Sequence, residues 1–261
     1  MDTRPIGMFD SGVGGMTVFK EVVKILPKEE VVYLGDTLRF PYGPKSKESI
    51  IDLTKKGIEF LISKNVKCII IACGTATSQA LEEVKREYDI PVIGIIEPTV
   101  TYLKHTTLRK IGVIATSGTI RSNAWQKEIL TQIPDAIVEN KACPMLAPMA
   151  EEGWTKNQIA KLAIEEYLKD MPKIDSLILG CTHYPLFTTF IKQQLGETVE
   201  IINTGEKVAI YLKDMLRQIG KENEKENPKH QIYLTDTQCN FKKIVYQLLG
   251  DSMGKIEIQK A

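Results

Sequence analysis

The sequence predicts an α/β fold of two similar domains with parallel-sheet cores, related by internal duplication, and an active site in the cleft between them. Short apolar segments alternate with amphipathic helical patterns along almost all of the 261 residues, which is typical of α/β proteins with parallel sheets. Most of these segments show no polar–apolar alternation, as expected for strands that are covered on both faces. The order of the elements also recurs in the second half of the chain.

The individual elements follow from these patterns. Strands are predicted at residues 6–9, 31–34, 67–72, 91–96, 111–115, 136–139, 176–180, 199–203 and 231–235. Helices are predicted at 16–26, after Ser46, and at 77–88, 120–131, 155–170, 186–195, 205–219 and 240–249. Apolar residues repeat at helical spacing in the first helix, which Pro27 ends, and Ser46 is the predicted N-cap of the second.

Two pairs of loops carry the internal repeat. IGMFDSGVGG begins at residue 6 and resembles IGVIATSGTI at 111, while IIIACGTATS and LILGCTHYPL end strands at Cys73 and Cys181. The first domain is predicted to comprise 1–96 and 206–261, and the second 97–205. Because ligands of open α/β sheets bind beyond the carboxyl ends of strands, all four loops are predicted to border one cleft.

Composition and charge argue against nucleic acid or an anionic membrane as a partner. Lys and Arg number 34 against 33 Asp and Glu, which leaves a formal net charge of +1, and the basic residues are scattered. We expect neither a signal peptide nor a membrane span. Five cysteines at wide spacing do not form a disulfide framework, so we expect a cytoplasmic protein.

Cys73 and Cys181 are the first candidates for chemistry. A single cysteine is often no more than a small buried hydrophobe, and Cys68, in mid-strand, is predicted to be core. Two thiols at equivalent points of a repeat indicate a different role. Placed on opposite sides of a bound carbon, one can remove a proton and the other can return one to the opposite face. The pattern therefore favours a two-base proton exchange.

Asp10 and His183 accompany these thiols. Asp10 ends the first strand, where it is either a helix N-cap or an acid–base partner of a thiol. The glycines that follow, and the helix N-terminus after them, favour an anion such as a carboxylate, but the GxGxxG and GK[ST] spacings of nucleotide sites are absent. His183 lies two residues beyond Cys181, and its position beside a thiol favours a functional role over a structural one.

Other readings of the same residues stay open. Cys73, Cys181 and His183 are conceivable zinc ligands, although the CxxC and HxxxH spacings of structural zinc sites are absent. Cys181 and His183 also fit a cysteine hydrolase, with a thiol nucleophile and an imidazole base, but that interpretation leaves Cys73 unexplained. A binding module that retains the fold without turnover is a third alternative.

Six motifs resemble those of the glutamate racemases, in the cofactor-independent aspartate/glutamate racemase superfamily. In the family's order they are IGMFDSGVGGMTV, YLGDTLRFPYGPKS, IIIACGTATS, PVIGIIEP, IGVIATSGTI and LILGCTHYPL. The resemblance covers essentially the whole chain. It implies an enzyme that interconverts L- and D-glutamate without pyridoxal phosphate, metal or nucleotide, and that supplies D-glutamate for peptidoglycan. It also implies a homodimer.

The resemblance also implies roles for particular residues. Cys73 and Cys181 would be the opposed acid–base pair, Asp10 would assist Cys73, His183 would assist Cys181, and Glu151 would be a further acid near the second thiol. Substrate would be held by Asp10, Ser11, Pro41, Tyr42, Gly43, Gly74, Thr75, Thr116, Thr119, Thr182 and His183. An aspartate racemase or a broader amino-acid racemase of the same superfamily stays open, because the sequence does not show pocket size.

Residue 74 departs from the family pattern. The family usually has Cys-Asn-Thr where this chain has Cys73-Gly74-Thr75. The side-chain amide of that Asn would hydrogen-bond the substrate, and Gly74 has no such group. We therefore hypothesise that Gly74 weakens substrate binding or loosens the choice of amino acid. On this hypothesis, restoring Asn at position 74 changes kcat/KM for glutamate or aspartate.

Overall fold

The computed structural model describes residues 1–237, 245 and 256–261, which form two parallel sheets flanked by helices. The strands of the first sheet are β1 (Ile6–Asp10), β2 (Val31–Gly35), β3 (Cys68–Ile71), β4 (Val92–Gly94), β9 (His230–Leu234) and β10 (Ile256–Lys260). Those of the second are β5 (Lys110–Ala115), β6 (Ile137–Ala142), β7 (Ser176–Leu179) and β8 (Glu200–Ile202). Every described strand pair is parallel.

Helices connect the strands and cover the sheets. They are α1 (Met16–Ile25), α2 (Lys47–Ser63), α3 (Gly74–Glu87), α4 (Ile96–Lys104), α5 (Ser117–Arg121), α6 (Ala124–Gln132), α7 (Leu146–Glu151), α8 (Gln158–Leu168), α9 (Thr188–Leu195) and α10 (Thr204–Gln218). Ser46 caps α2 as predicted, since its hydroxyl accepts the N–H of Ser49 at 3.2 Å. No helix in the described ranges has both the length and the apolar character needed to cross a membrane.

The two sheets share one topology, and the predicted fold class is confirmed. The first contains the order β2-β1-β3-β4 and the second the order β6-β5-β7-β8, so each strand of the second sheet has a counterpart in the first. Strands β9 and β10 extend the first sheet beyond β2. Both strands follow residue 206 in the chain. The division into a domain of 1–96 plus 206–261 and a domain of 97–205 stays a prediction.

An apolar core continues from one sheet to the other. It contains Ile6 and Val31 of the first sheet, Ile111 and Val113 of the second, and Leu212 of α10, all buried. Helix α4 contacts both α10 and α6. The two halves are therefore joined by packed side chains and not only by the crossing chain.

Several elements differ from the sequence prediction. The strand predicted at 91–96 ends at Gly94, and Ile96 already begins α4. Helices α4 and α7 and strand β10 were not predicted, and the helix predicted at 120–131 is divided into α5 and α6. The helix predicted at 77–88 begins earlier, at Gly74. The helix predicted at 240–249 lies, apart from Val245, outside the described residues.

Candidate active site

The carboxyl ends of equivalent strands in the two sheets meet around one small cavity. Cys73 follows β3 and Cys181 follows β7, which occupy the same place in the two sheets. The cavity measures about 20 Å³, which is room for about one water molecule. Its lining residues are Ser11, Phe40, Pro41, Tyr42, Gly43, Cys73, Gly74, Thr75, Thr116, Ala147, Cys181, Thr182 and His183.

Most of the predicted site residues therefore come together. Asp10, Thr119 and Glu151 do not line the cavity, but each hydrogen-bonds a residue that does. Phe40 and Ala147 line it although the sequence analysis did not select them. Neither is polar, so no chemical pattern in the sequence distinguishes them; the position of Phe40 beside the PYG turn is the one available signal.

Cys73 is almost completely buried at the start of α3. It is the N-cap residue of that helix, and its sulfur accepts the N–H of Ala76 at 3.4 Å. The thiol donates to Ser11 Oγ at 3.3 Å. Burial, reinforced by the nearby Asp10 carboxyl, raises the pKa of Cys73 to about 12. At neutral pH this residue is therefore a thiol that can give a proton.

Asp10 lies buried beneath the cavity at the end of β1. Its carboxylate accepts the N–H of Gly12 at 3.0 Å and the hydroxyl of Thr182 at 3.4 Å. Burial raises the pKa of Asp10, although the charge of His183 and the backbone N–H groups of Gly12 and Gly15 oppose the rise. A carboxyl with a raised pKa can exchange a proton near the thiols.

Cys181 has a different set of neighbours. Its sulfur lies 3.7 Å from Nδ1 of His183, whose Nε2 lies 2.7 Å from Oε1 of Glu151. The ring of Phe40 covers His183, with centroids 5.5 Å apart. Burial by itself would lower the pKa of His183, but the hydrogen bonds to Cys181 and Glu151 outweigh it and raise the pKa well above 6.5. The imidazole is therefore held protonated between a sulfur and a carboxylate.

Hydroxyl groups form one wall of the site. Thr75 Oγ1 lies 2.8 Å from Thr116 Oγ1, which lies 3.0 Å from Thr119 Oγ1. Thr75 comes from the first half of the chain, and the other two come from the second. These side chains provide uncharged donors that can hold a carboxylate, as the resemblance implied.

Asp36 is a site-supporting residue that the sequence analysis missed. This buried carboxylate accepts the hydroxyl of Tyr42 at 2.7 Å, a guanidinium N–H of Arg39 at 2.7 Å and the hydroxyl of Thr235 at 2.9 Å. It therefore fixes the segment that brings Tyr42 and Gly43 to the cavity. The available signal was a carboxylate directly after a buried strand, in GDTLRFPYG.

The zinc interpretation finds no geometric support. Within the described ranges, no three His, Cys, Asp or Glu side chains are grouped so as to hold a metal ion. Cys73 lines the cavity from the first half of the chain, whereas Cys181 and His183 line it from the second half.

Comparisons with known proteins identify the family to which the chain is similar. The family model for Asp/Glu/Hydantoin racemase matches residues 6–209. A glutamate racemase from Geobacter metallireducens is 39% identical, over 98% of this chain and 96% of the relative.

Solved structures are similar over the full chain. A glutamate racemase isoform from Bacillus anthracis has a TM-score of 0.92 and 36% identity, covering 100% of this chain and 98% of that one. A glutamate racemase from Francisella tularensis, solved in complex with D-glutamate, has a TM-score of 0.90 and 36% identity, with 100% and 97% covered. The chain belongs to the Asp/Glu/hydantoin racemase family and, within it, to the glutamate racemases, which are amino-acid isomerases.

Proposed function

We propose that the enzyme interconverts L- and D-glutamate by proton transfer at Cα between two thiols, those of Cys73 and Cys181. One observation carries the proposal: the two cysteines end equivalent strands of the two sheets and line the same cavity. A carbon held in that cavity has one thiol from each half of the chain beside it. Inversion at carbon needs a base on one face and an acid on the other, and two such groups provide both.

The neighbours of each thiol suggest its starting protonation state. Cys73, with a pKa of about 12, begins as the acid. His183, protonated and 3.7 Å from Cys181, can hydrogen-bond a thiolate, and we assign Cys181 the role of base. Cys181 removes the Cα proton, Cys73 delivers its own proton to the opposite face, and the reverse reaction starts from the opposite protonation states.

Between the two transfers, negative charge spreads from Cα onto the α-carboxylate. The hydroxyls of Ser11 and Thr75 line the cavity and supply donors to this oxyanion. Thr182 also lines the cavity, with its hydroxyl donated to Asp10. Preorganised donors stabilise such charge most strongly where water is excluded, because they need no reorientation as the charge develops. We assign substrate contacts to these hydroxyls and to Pro41, Tyr42, Gly43, Thr116 and Thr119.

Glutamate is the proposed substrate because the chain is a glutamate racemase by family and a 36%-identical relative was solved with D-glutamate. A cell-wall role, as a source of D-glutamate for peptidoglycan, follows for this chain as part of the proposal. So do a cytoplasmic location, where the thiols stay reduced, and a homodimer. Aspartate is the second candidate, since it differs from glutamate by one methylene.

Proton NMR in D2O with no added cofactor tests the proposal. Purified enzyme is incubated with L-glutamate and, separately, with L-aspartate. We expect the α-proton signal of glutamate to disappear, with D-glutamate identified by circular dichroism. Exchange of aspartate alone would keep the chemistry and overturn the substrate. Exchange of neither would overturn both.

A further inference from the structure

The cavity between the two halves is too small for the proposed substrate. It holds about one water molecule, and glutamate is several times larger, so part of the wall must move before the substrate enters. Most of the lining residues are buried, and the partly exposed ones are Phe40, Pro41 and Thr116. Because the halves share a packed core, a local movement of this exposed wall needs less rearrangement than a separation of the halves.

Phe40 is the residue of this exposed wall whose side chain can rotate away. The hydroxyl of Thr116 is hydrogen-bonded to those of Thr75 and Thr119, and the ring of Pro41 is closed on its own backbone. The Phe40 side chain has no polar atom to hold it, and it can turn about its single bonds into other staggered rotamers. Its backbone lies in no helix or strand.

The Phe40 ring bridges the two halves of the chain. Phe40 belongs to the first half, but it packs against the apolar cluster of the second half that contains Ala147 and Cys181. Its ring centroid lies 5.5 Å from that of His183. Within the first half, the position of a Cβ on Gly12 lies 2.9 Å from Phe40 Cδ2, so the ring lies directly against that backbone. The ring therefore covers the cavity where the two halves meet.

This cover keeps water from the charged groups around His183. The imidazole lies between Cys181 Sγ, at 3.7 Å, and Glu151 Oε1, at 2.7 Å. Attraction between charges is several-fold stronger at the low dielectric constant of a dry site than in water. Water admitted to this side of the cavity would screen the charges that develop during the proton transfers and slow the reaction.

We propose that the Phe40 side chain is the gate of the site. It rotates outward to admit glutamate and then returns to seal His183 and Cys181 from water. The inference rests on the proposed two-thiol racemisation and adds to it the residue that controls access. Phe40 takes no part in the proton transfers and acts through His183, as a positioning residue. Because the ring has no hydrogen-bonding atom, its rotation breaks no hydrogen bond.

Alkylation by iodoacetamide measures access without substrate. The reagent is larger than the closed cavity, so in wild type it reaches Cys181 only when the gate is open. Phe40→Ala should raise the alkylation rate of Cys181 about tenfold or more, because access limits the reactivity of a covered thiol. Peptide mass spectrometry follows the rate, with Cys68 and Cys143, buried outside the cavity, as internal references. Leu38→Ala, at an exposed residue of the same segment, is the control and should match wild type.

Steady-state kinetics with glutamate measure the sealing. Phe40→Ala should lower kcat about tenfold, because admitted water screens the charges around His183. Phe40→Leu keeps an apolar side chain over the cavity and should restore both kcat and the alkylation rate to within about threefold of wild type. A merely structural role would lower the thermal stability of Phe40→Ala without raising the alkylation of Cys181 above that of the reference cysteines.

The outcomes separate this inference from the proposed function. Alkylation of Cys181 at the wild-type rate in Phe40→Ala would overturn the gate, and so would a kcat at or above that of wild type. A rise that includes Cys68 and Cys143 would also overturn it, since the whole fold would then have loosened. A wild type without racemase activity would overturn the proposed function, while the alkylation rates, which need no turnover, would still decide whether Phe40 controls access.

Discussion

The Cys73 and Cys181 regions follow equivalent strands of the two sheets but have different chemistry. Both thiols follow the third strand of a shared topology, and both are nearly sealed from solvent, at 5% and 6% exposure. Around Cys73 the partners are a hydroxyl and a backbone amide, with a buried carboxyl nearby. Around Cys181 they are an imidazole and, through it, a carboxylate.

The repeated topology and the unlike neighbours of the two thiols make separate contributions to the site. The repeated topology places one thiol on each side of the cavity, which inversion at carbon requires. The unlike neighbours give the two thiols opposite tendencies: one is kept protonated by burial and a nearby carboxyl, and the other lies against an imidazolium. A fully symmetric site would leave the starting protonation states undefined.

The largest effect is expected from removal of either thiol. Cys73→Ser and Cys181→Ser should each lower kcat for racemisation by at least about 1000-fold, because a hydroxyl is a far weaker acid and base at neutral pH. Polarimetry with both glutamate enantiomers measures the loss. Cys143→Ser, at a buried cysteine outside the cavity, is the matched control and should retain activity. Near wild-type turnover in either thiol variant would refute the two-base assignment.

Variants of the residues that hydrogen-bond the two thiols test whether the thiols depend differently on their neighbours. His183→Asn removes the imidazole beside Cys181 and should lower kcat by about 100-fold or more. Ser11→Ala removes one neutral hydrogen bond to Cys73 and should lower kcat by about tenfold, which corresponds to about 1.4 kcal/mol. Initial rates at saturating glutamate give both values. Equal losses would show that the two thiols depend equally on their partners, against the asymmetry described above.

A smaller effect is expected at Asp36. Asp36→Asn keeps the shape of the side chain but weakens its hold on Tyr42, Arg39 and Thr235. Since Tyr42 and Gly43 line the cavity, KM for glutamate should rise about tenfold, while kcat falls less than threefold. Asp52→Asn, at an exposed site on α2, is the control. A fall in kcat with unchanged KM would contradict a role in holding the substrate loop.

The smallest effect concerns stability at high pH. The pKa of Cys73 is about 12 when folded and 9.0 unperturbed, so its contribution is fully present below about pH 9 and is lost as pH rises toward 12. Above pH 9 the unfolded thiol loses its proton first, which costs up to about 1.4 kcal/mol per pH unit. Urea unfolding at pH 8 and pH 10 should show a smaller loss of stability for Cys73→Ser than for wild type. Equal losses would show that Cys73 titrates normally.

Local patterns in the sequence were sufficient for most of the fold. Apolar segments and the repeat located the strands that precede Cys73 and Cys181. Helices α4 and α7 were missed because each has a proline, Pro98 or Pro148, as its third residue. Proline is tolerated in the first turn, where its missing N–H has no helical partner, but in a sequence it is easily taken as a break.

The site was predictable to the extent that its residues share loops with the thiols. The hydrogen bond from Thr235 to Asp36 spans 199 residues of chain, and the contact between Gly74 and Gly180 crosses the cleft. Neither has a local signature, because each depends on how the two halves and the end of the chain are packed. The resemblance to racemases identified Gly74 as a departure, but its closeness to the Gly180 backbone is visible only in the structure.

The most direct test of the two-thiol mechanism is the position of label after the first turnovers in D2O. Unlabelled L-glutamate is incubated with wild-type enzyme, the reaction is stopped at low conversion, and the enantiomers are separated and analysed by mass spectrometry. Two thiols predict that newly formed D-glutamate carries one deuterium at Cα while the remaining L-glutamate is almost unlabelled, because the acid that reprotonates the carbon has exchanged with solvent. Newly formed D-glutamate that retains the original proton would show that one group both removes and returns it, and would contradict the account.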